Sequence, residues 1–135
     1  MRILIFGSYN IKLFSHVFDF DDHDVFLLLS KDEKSPYNNL IEKCESDFFN
    51  FSNFSDIDFS EFDKFDLFIV SSGNDSVNSL FIHRLDQIYP DHRKIVFIKD
   101  SQFAELQRDF GFNVVSSDEI LRENIIDILG GLIDE

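Results

Sequence analysis

Short, nearly unbroken apolar runs alternate along this chain with longer amphipathic stretches, and that alternation constrains its fold more than any other feature. A run of four or five apolar residues without a polar break suits a strand covered on both faces, the condition of a parallel sheet flanked by helices. The runs predict strands at Arg2–Phe6, Val25–Leu29, Phe48–Phe51, Leu67–Val70, Lys94–Ile98 and Asn113–Val115. Between them, Ile11, Phe14, Val17 and Phe18 fall on one helical face, and Val77, Leu80, Phe81, Leu85 and Ile88 form a second stripe ending before Pro90. A third stripe, Phe103, Leu106 and Phe110, stops at Gly111, a residue suited to capping a helix. A last helix starts after Ser117 and carries Ile120, Leu121, Ile125, Ile126, Ile128 and Leu129. The expected fold is α/β: a Rossmann-like, doubly wound, mostly parallel six-stranded sheet with helices on both faces. With 135 residues, the expectation is one domain over 1–129 and a short C-terminal tail, 130–135, hinged at Gly130-Gly131.

The stretch Ser46–Phe65 is the least regular, with Phe at 48, 49, 51, 54, 59, 62 and 65 among Ser, Asn and Asp. It reads as a strand followed by a short or poor helix. Aromatic residues at such spacing suit either a core or a platform for stacked bases, and charge decides between them. The formal net charge is −14, so no basic face is available to replace phosphate counterions. Core packing is therefore expected, with no nucleic-acid partner. The same charge opposes an anionic membrane surface, and no apolar run reaches the roughly 20 residues that span a bilayer. The expected location is cytoplasmic, with no direct membrane insertion. Cys44 is the single cysteine, which excludes an internal disulfide.

The loop after the first strand carries the most chemical information. A dinucleotide-binding loop has the spacing G-x-G-x-x-G, in which the first glycine makes the turn, the second admits the pyrophosphate and the third lets helix and strand approach. Here Gly7 holds the first position, while Tyr9 and Lys12 hold the second and third. The Tyr9 side chain brings bulk to the place where phosphate oxygens would meet backbone N–H groups. The helix start behind it remains a potential anion site, to which Lys12 would add positive charge.

Two further segments carry a resemblance. Phe65-Asp66-Leu67-Phe68-Ile69-Val70-Ser71-Ser72-Gly73-Asn74-Asp75, followed by Asn78, is similar to A-D-x-V-I-x-x-T-G-x-D-E-x-N. The segment from Asp100-Ser101-Gln102-Phe103-Ala104-Glu105-Leu106 to Val114-Val115-Ser116-Ser117-Asp118-Glu119 is similar to D-P-E-Y-A-E-L-x-x-x-G-A-D-V-V-I-S-P-E. Both patterns belong to the TrkA/KtrA N-terminal domain, the RCK or KTN regulatory domain of potassium channels and transporters, and the resemblance covers nearly the whole chain. It implies a regulatory domain, not an enzyme, that forms a homodimer or higher ring and acts on an integral-membrane potassium channel or transporter subunit. It also implies a ligand cleft built from Gly7, Ser8, Tyr9, Asn10, Ser30, Lys31, Asn50, Ser52, Ser71, Ser72 and Gly73.

The departures fall in that cleft. Ser30, in Leu29-Ser30-Lys31-Asp32, stands where an acidic residue would hold a ribose hydroxyl, and Phe49-Asn50-Phe51-Ser52 replaces the family's G-D-A-T. Asn50 and Ser52 retain hydrogen-bonding capacity. Three states of the cleft stay open: no nucleotide, an adenine nucleotide (NAD(H), ATP or ADP) in an altered pose, or ordinary NAD binding.

Other constellations favour plainer readings. Asp19, Asp21, Asp22, His23 and Asp24 are rich in oxygen ligands but lack EF-hand spacing, and His16, His83 and His92 form no zinc pattern, so no metal site is expected. Ser71-Ser72 lack a nucleophile-elbow context, and Cys44 has no nearby His in sequence. A receiver domain would need paired acids after the first strand, where this chain has Gly7-Ser8. The last helix is apolar on more than one face, as an assembly surface would be. The alternatives are a structural dimerisation module without a nucleotide and an NAD(P)-dependent oxidoreductase. The second lacks a Tyr-x-x-x-Lys pair and a separate substrate domain.

Overall fold

The computed structural model describes residues 1–30, 38–42, 44–49 and 57–133. Six strands form one sheet, β1 (Arg2–Phe6), β2 (Asp24–Ser30), β3 (Glu45–Phe49), β4 (Leu67–Val70), β5 (Arg93–Phe97) and β6 (Asn113–Val115), in the order β3-β2-β1-β4-β5-β6. Every pairing is parallel. The helices are α1 (Ile11–Val17), α2 (Asn38–Ile41), α3 (Asp75–Ile88), α4 (Ser101–Asp109) and α5 (Ser117–Ile133), with 3₁₀ helices at Phe20–Asp22 and Phe59–Lys64. This is the Rossmann-like doubly wound arrangement, and its strand order places the topological switch between β1 and β4.

The period-two alternation of each strand divides the core. Ile3, Ile5, Val25, Leu27, Leu29 and Ile69 face one side, where Ile11 and Phe14 of α1 cover them and Leu40 and Ile41 of α2 pack alongside. Leu4, Phe6, Leu28, Phe68, Val70 and Val96 face the other, against Phe81, Ile82 and Leu85 of α3 and Ala104 of α4. Phe59, Phe62 and Phe65 join this second core, so these three aromatic residues of that segment serve packing. Phe81 stacks on Phe6 with ring centroids 3.8 Å apart, and the Tyr89 hydroxyl donates to the Phe59 carbonyl.

Several boundaries differ from the sequence reading, each for a physical reason. The third strand was expected at Phe48–Phe51 and runs Glu45–Phe49; it is an edge strand paired only with β2, so its exposed Glu45, Ser46 and Asp47 need no apolar character. Phe51 and Phe54 lie outside the described residues. The fifth strand is Arg93–Phe97 rather than Lys94–Ile98. The expected α3 stripe is rotated: Asn78, Phe81, Ile82 and Leu85 are buried, while Leu80 and Ile88 are exposed. In α4, Ala104 and Gln107 are buried and Leu106 and Phe110 are exposed, because the small Ala104 permits close approach to the sheet and Gln107 Oε1 accepts from His83 Nε2 at 3.0 Å. Val17 likewise faces outward. Gly111 adopts the positive φ of 95° expected of a C-terminal cap. Gly130 and Gly131, expected as a joint, lie inside α5.

α5 belongs to neither core among the described residues. Its first turn is anchored: Asp118 N donates to the Lys99 carbonyl at 3.2 Å, and Arg108 holds Glu119 through two bonds of 2.7 and 2.6 Å. Beyond it, Leu121, Ile125, Ile126, Ile128, Leu129 and Leu132 are each 49 to 65% exposed. No described helix is long and apolar enough to cross a membrane.

Candidate functional site

At the switch point, the connections leaving β1 and β4 depart to opposite faces of the sheet and open a crevice at its carboxyl edge. Three loops meet there, 7–10 after β1, 71–74 after β4 and 98–100 after β5. Gly7 has a φ of +91°, and a Cβ on it would lie 2.6 Å from both the Ser71 carbonyl oxygen and the Ser72 Cα. Glycine is therefore required by contact between two loops of the protein itself. Asn10 Nδ2 donates to Ser71 Oγ at 2.7 Å, a second tie between the same loops.

Tyr9 closes the arrangement. Its ring lies against Gly73, where an added Cβ would come within 3.4 Å of Tyr9 Cδ2. Lys99 Nζ stands 4.3 Å from the centre of that ring and donates to the Gly73 carbonyl at 2.9 Å. The ring and the carbonyl dipole together hold the ammonium. Tyr9 and Lys99 also line a cavity of about 100 Å³, together with Asn10, Leu13, Phe97 and Ser117.

The loop after β4 is held from beneath by α3. Asn78 is buried; its Oδ1 accepts from Ser72 N at 2.9 Å and Ser72 Oγ at 2.6 Å, and its Nδ2 donates to the carbonyls of Ser72 and Phe97 at 3.1 and 2.9 Å. Asn74 Oδ1 caps α3 by accepting from Val77 N at 3.0 Å, and the Asp75 carboxylate accepts from the backbone N–H groups of Lys99 and Asp100. The residues of the Gly73-Asn74-Asp75 and Asn78 pattern are thus the fasteners of the β4 and β5 loops.

Of the expected cleft residues, the structure brings together Gly7, Tyr9 and Asn10 with Ser71, Ser72 and Gly73. Ser8 is buried in the same loop, and Ser30 is buried at the carboxyl end of β2. Lys31, Asn50 and Ser52 lie outside the described residues. Lys99 was missed by sequence reasoning, although a basic residue directly after a parallel strand is placed at the ligand edge of such a sheet. Ser71 Oγ and Ser72 Oγ are partnered by amide groups, which do not activate a hydroxyl for attack. In the acidic segment, Asp19 caps the 3₁₀ helix by accepting from Asp21 N, and no group of three His, Cys, Asp or Glu suited to a metal occurs among the described residues.

No family model matches the chain, and no curated protein matches its sequence.

Proposed function

We propose that this chain is a regulatory domain of the RCK/TrkA-N kind, a homodimer whose assembly acts on a potassium channel or transporter subunit in the membrane and whose nucleotide response is weakened. The observation that carries the assembly part is α5. Leu121, Ile125, Ile128 and Leu132 follow a four-three-four spacing along it, the seam of a helix that packs against another helix or sheet. The side of the sheet nearest its start is thinly covered, since Ile95, Phe97 and Val115 are only half-buried. An apolar helix without a core and an apolar sheet patch without a full cover on the same chain suit a two-fold dimer, in which each copy supplies what the other lacks. Potassium transport enters through the motif resemblance. Regulation then requires that a ligand prefer one of two arrangements of the paired domains.

The state of the crevice supports a weak or absent nucleotide response, because Tyr9 fills the position of the second glycine. It equally supports a structural dimerisation module without a ligand. Sedimentation equilibrium of the wild type and of Ile125→Asp, together with calorimetric titration of NAD⁺, NADH, ATP and ADP, separates these readings. The proposal expects a wild-type dimer, a monomeric Ile125→Asp variant that keeps its circular dichroism, and weak saturable binding of one nucleotide. A dimer that binds none leaves the structural module. A monomeric wild type, or an Ile125→Asp variant with unchanged mass, refutes the α5 interface.

A further inference from the structure

Among the described residues, Lys99 brings a cation to the crevice, and its partners are unusual for a lysine in a chain of net charge −14. Nζ contacts a ring face and a carbonyl oxygen, with Tyr9 and Gly73 as the groups that hold it. Its backbone is fixed independently: Lys99 N donates to Asp75 Oδ1 at 2.8 Å, and Lys99 O accepts from Ser116 Oγ at 3.0 Å. The side chain can therefore change partner while its root stays in place. Tyr9 is 55% exposed, so water is available to its ring when it swings away from Gly73. Tyr9 and Lys99 also line a cavity of about 100 Å³, well short of the roughly 300 Å³ at which small-molecule pockets begin.

We propose that Lys99 is the phosphate-holding residue of this crevice and that Tyr9 and Gly73 mask it, so that the chain keeps its own anion site shut. The ligand class is a diphosphate, either free pyrophosphate or the diphosphate of an adenine nucleotide. This deepens the ligand part of the function proposed above and rests on its reading of the crevice as a nucleotide cleft. The nearby acids do not oppose the geometry: Asp75 is turned to the backbone N–H groups of Lys99 and Asp100, and Asp100 Oδ1 accepts from Phe103 N at 2.8 Å as the cap of α4. Lys99 then exchanges a neutral carbonyl for a dianionic oxygen set, a stronger partner for an ammonium.

The test is calorimetric titration of inorganic pyrophosphate and ADP into the full chain and three variants: Tyr9→Gly, Tyr9→Gly with Lys99→Met, and Tyr9→Gly with Lys99→Arg. Removal of the ring is expected to tighten pyrophosphate and ADP at least tenfold over wild type. Lys99→Met in that background returns affinity to the wild-type level, and Lys99→Arg keeps at least part of the gain. Tighter ADP than pyrophosphate identifies the nucleotide as the ligand source, and equal affinities identify the diphosphate alone. No gain in a Tyr9→Gly protein with a dispersed amide spectrum overturns the proposal. So does a gain that survives Lys99→Met, which would make bulk alone the obstacle. Tyr9→Ser replaces Tyr9→Gly if the glycine variant does not fold. Masses measured on the same samples separate this result from the assembly reading: a dimer without the gain refutes the mask alone, and a monomer with the gain refutes the α5 interface alone.

Discussion

Replacing Asn78 by alanine tests whether the β4 loop is held by α3 as described. Asn78 is 1% exposed and its amide makes four hydrogen bonds, two to Ser72 as acceptor and two to the carbonyls of Ser72 and Phe97 as donor. The Ser72 hydroxyl can rotate to another acceptor, so its bond contributes little to the loss. Ser72 N cannot, and an orphaned buried donor costs about 1–3 kcal/mol. The two carbonyls each lose a bond of about 1 kcal/mol net. The sum is about 4 kcal/mol, a large fraction of the roughly 5–15 kcal/mol that stabilises a domain. In urea, with a slope of about 2 kcal/mol per M, the unfolding midpoint should fall by about 2 M. Asn78→Asp is the control: it keeps the acceptor for Ser72 N but sets a carboxylate against two carbonyl oxygens. Its burial raises the carboxyl pKa, so this variant should be more stable, relative to wild type, at pH 5 than at pH 7. A midpoint shift below about 0.5 M for Asn78→Ala would refute the reasoning, since it would mean that the loop is held elsewhere.

Gly7→Ala combines a positive φ with a Cβ 2.6 Å from backbone atoms that cannot rotate away, and it should cost about 3 kcal/mol or more by urea titration; a near-neutral result would reject the close approach of the two loops. Phe81→Ala opens a cavity beneath Phe6 and Phe59 and should cost about 3–5 kcal/mol, read as a lowered thermal midpoint. Arg108 holds the Glu119 carboxyl below its ordinary range through two charge-assisted bonds. A depressed folded pKa contributes stability above the unfolded value and loses it as pH falls through the folded one, so the first turn of α5 should loosen as pH falls below the ordinary glutamate range. Faster amide exchange at residues 118–121 on acidification, absent in Glu119→Gln, is the expected signature.

The fold was legible because burial on both faces leaves a strong mark. β1, β4 and β6 have the bounds their apolar runs predict, since β1 and β4 are central and β6 is short and closely flanked by Gly111 and Ser116. β3 was displaced because an edge strand needs no apolar sequence, and Glu45-Ser46-Asp47 reads as a loop until β2 is seen beside it. Helix stripes were less legible than strands. In α3 the buried face includes Asn78, a polar residue whose burial depends on the carbonyls of Ser72 and Phe97, groups that no periodicity in α3 reveals. Gln107 is buried in α4 for a similar reason, facing His83 from another helix. In the crevice, the damaged glycine spacing drew attention to Tyr9, whose ring lies against Gly73. Lys99 stayed hidden because its proximity to Tyr9 depends on β5 lying next to β4 in the sheet.

That adjacency also gives Lys99 a position between the two features that the proposed function needs. Its side chain lies in the crevice, over Tyr9 and against the Gly73 carbonyl. Its own carbonyl accepts from Ser116 Oγ and Asp118 N, the polar groups that start α5. The amide N–H of the same residue is held by Asp75 of α3. One residue thus touches the crevice with its side chain and the first turn of α5 with its backbone. Because that backbone is held in place, coupling between crevice and assembly would require the proposed open and closed states of the Tyr9–Lys99 contact to favour different directions of α5, and any difference in dimer affinity between them must reappear, by linkage, as the same difference in ligand affinity between monomer and dimer.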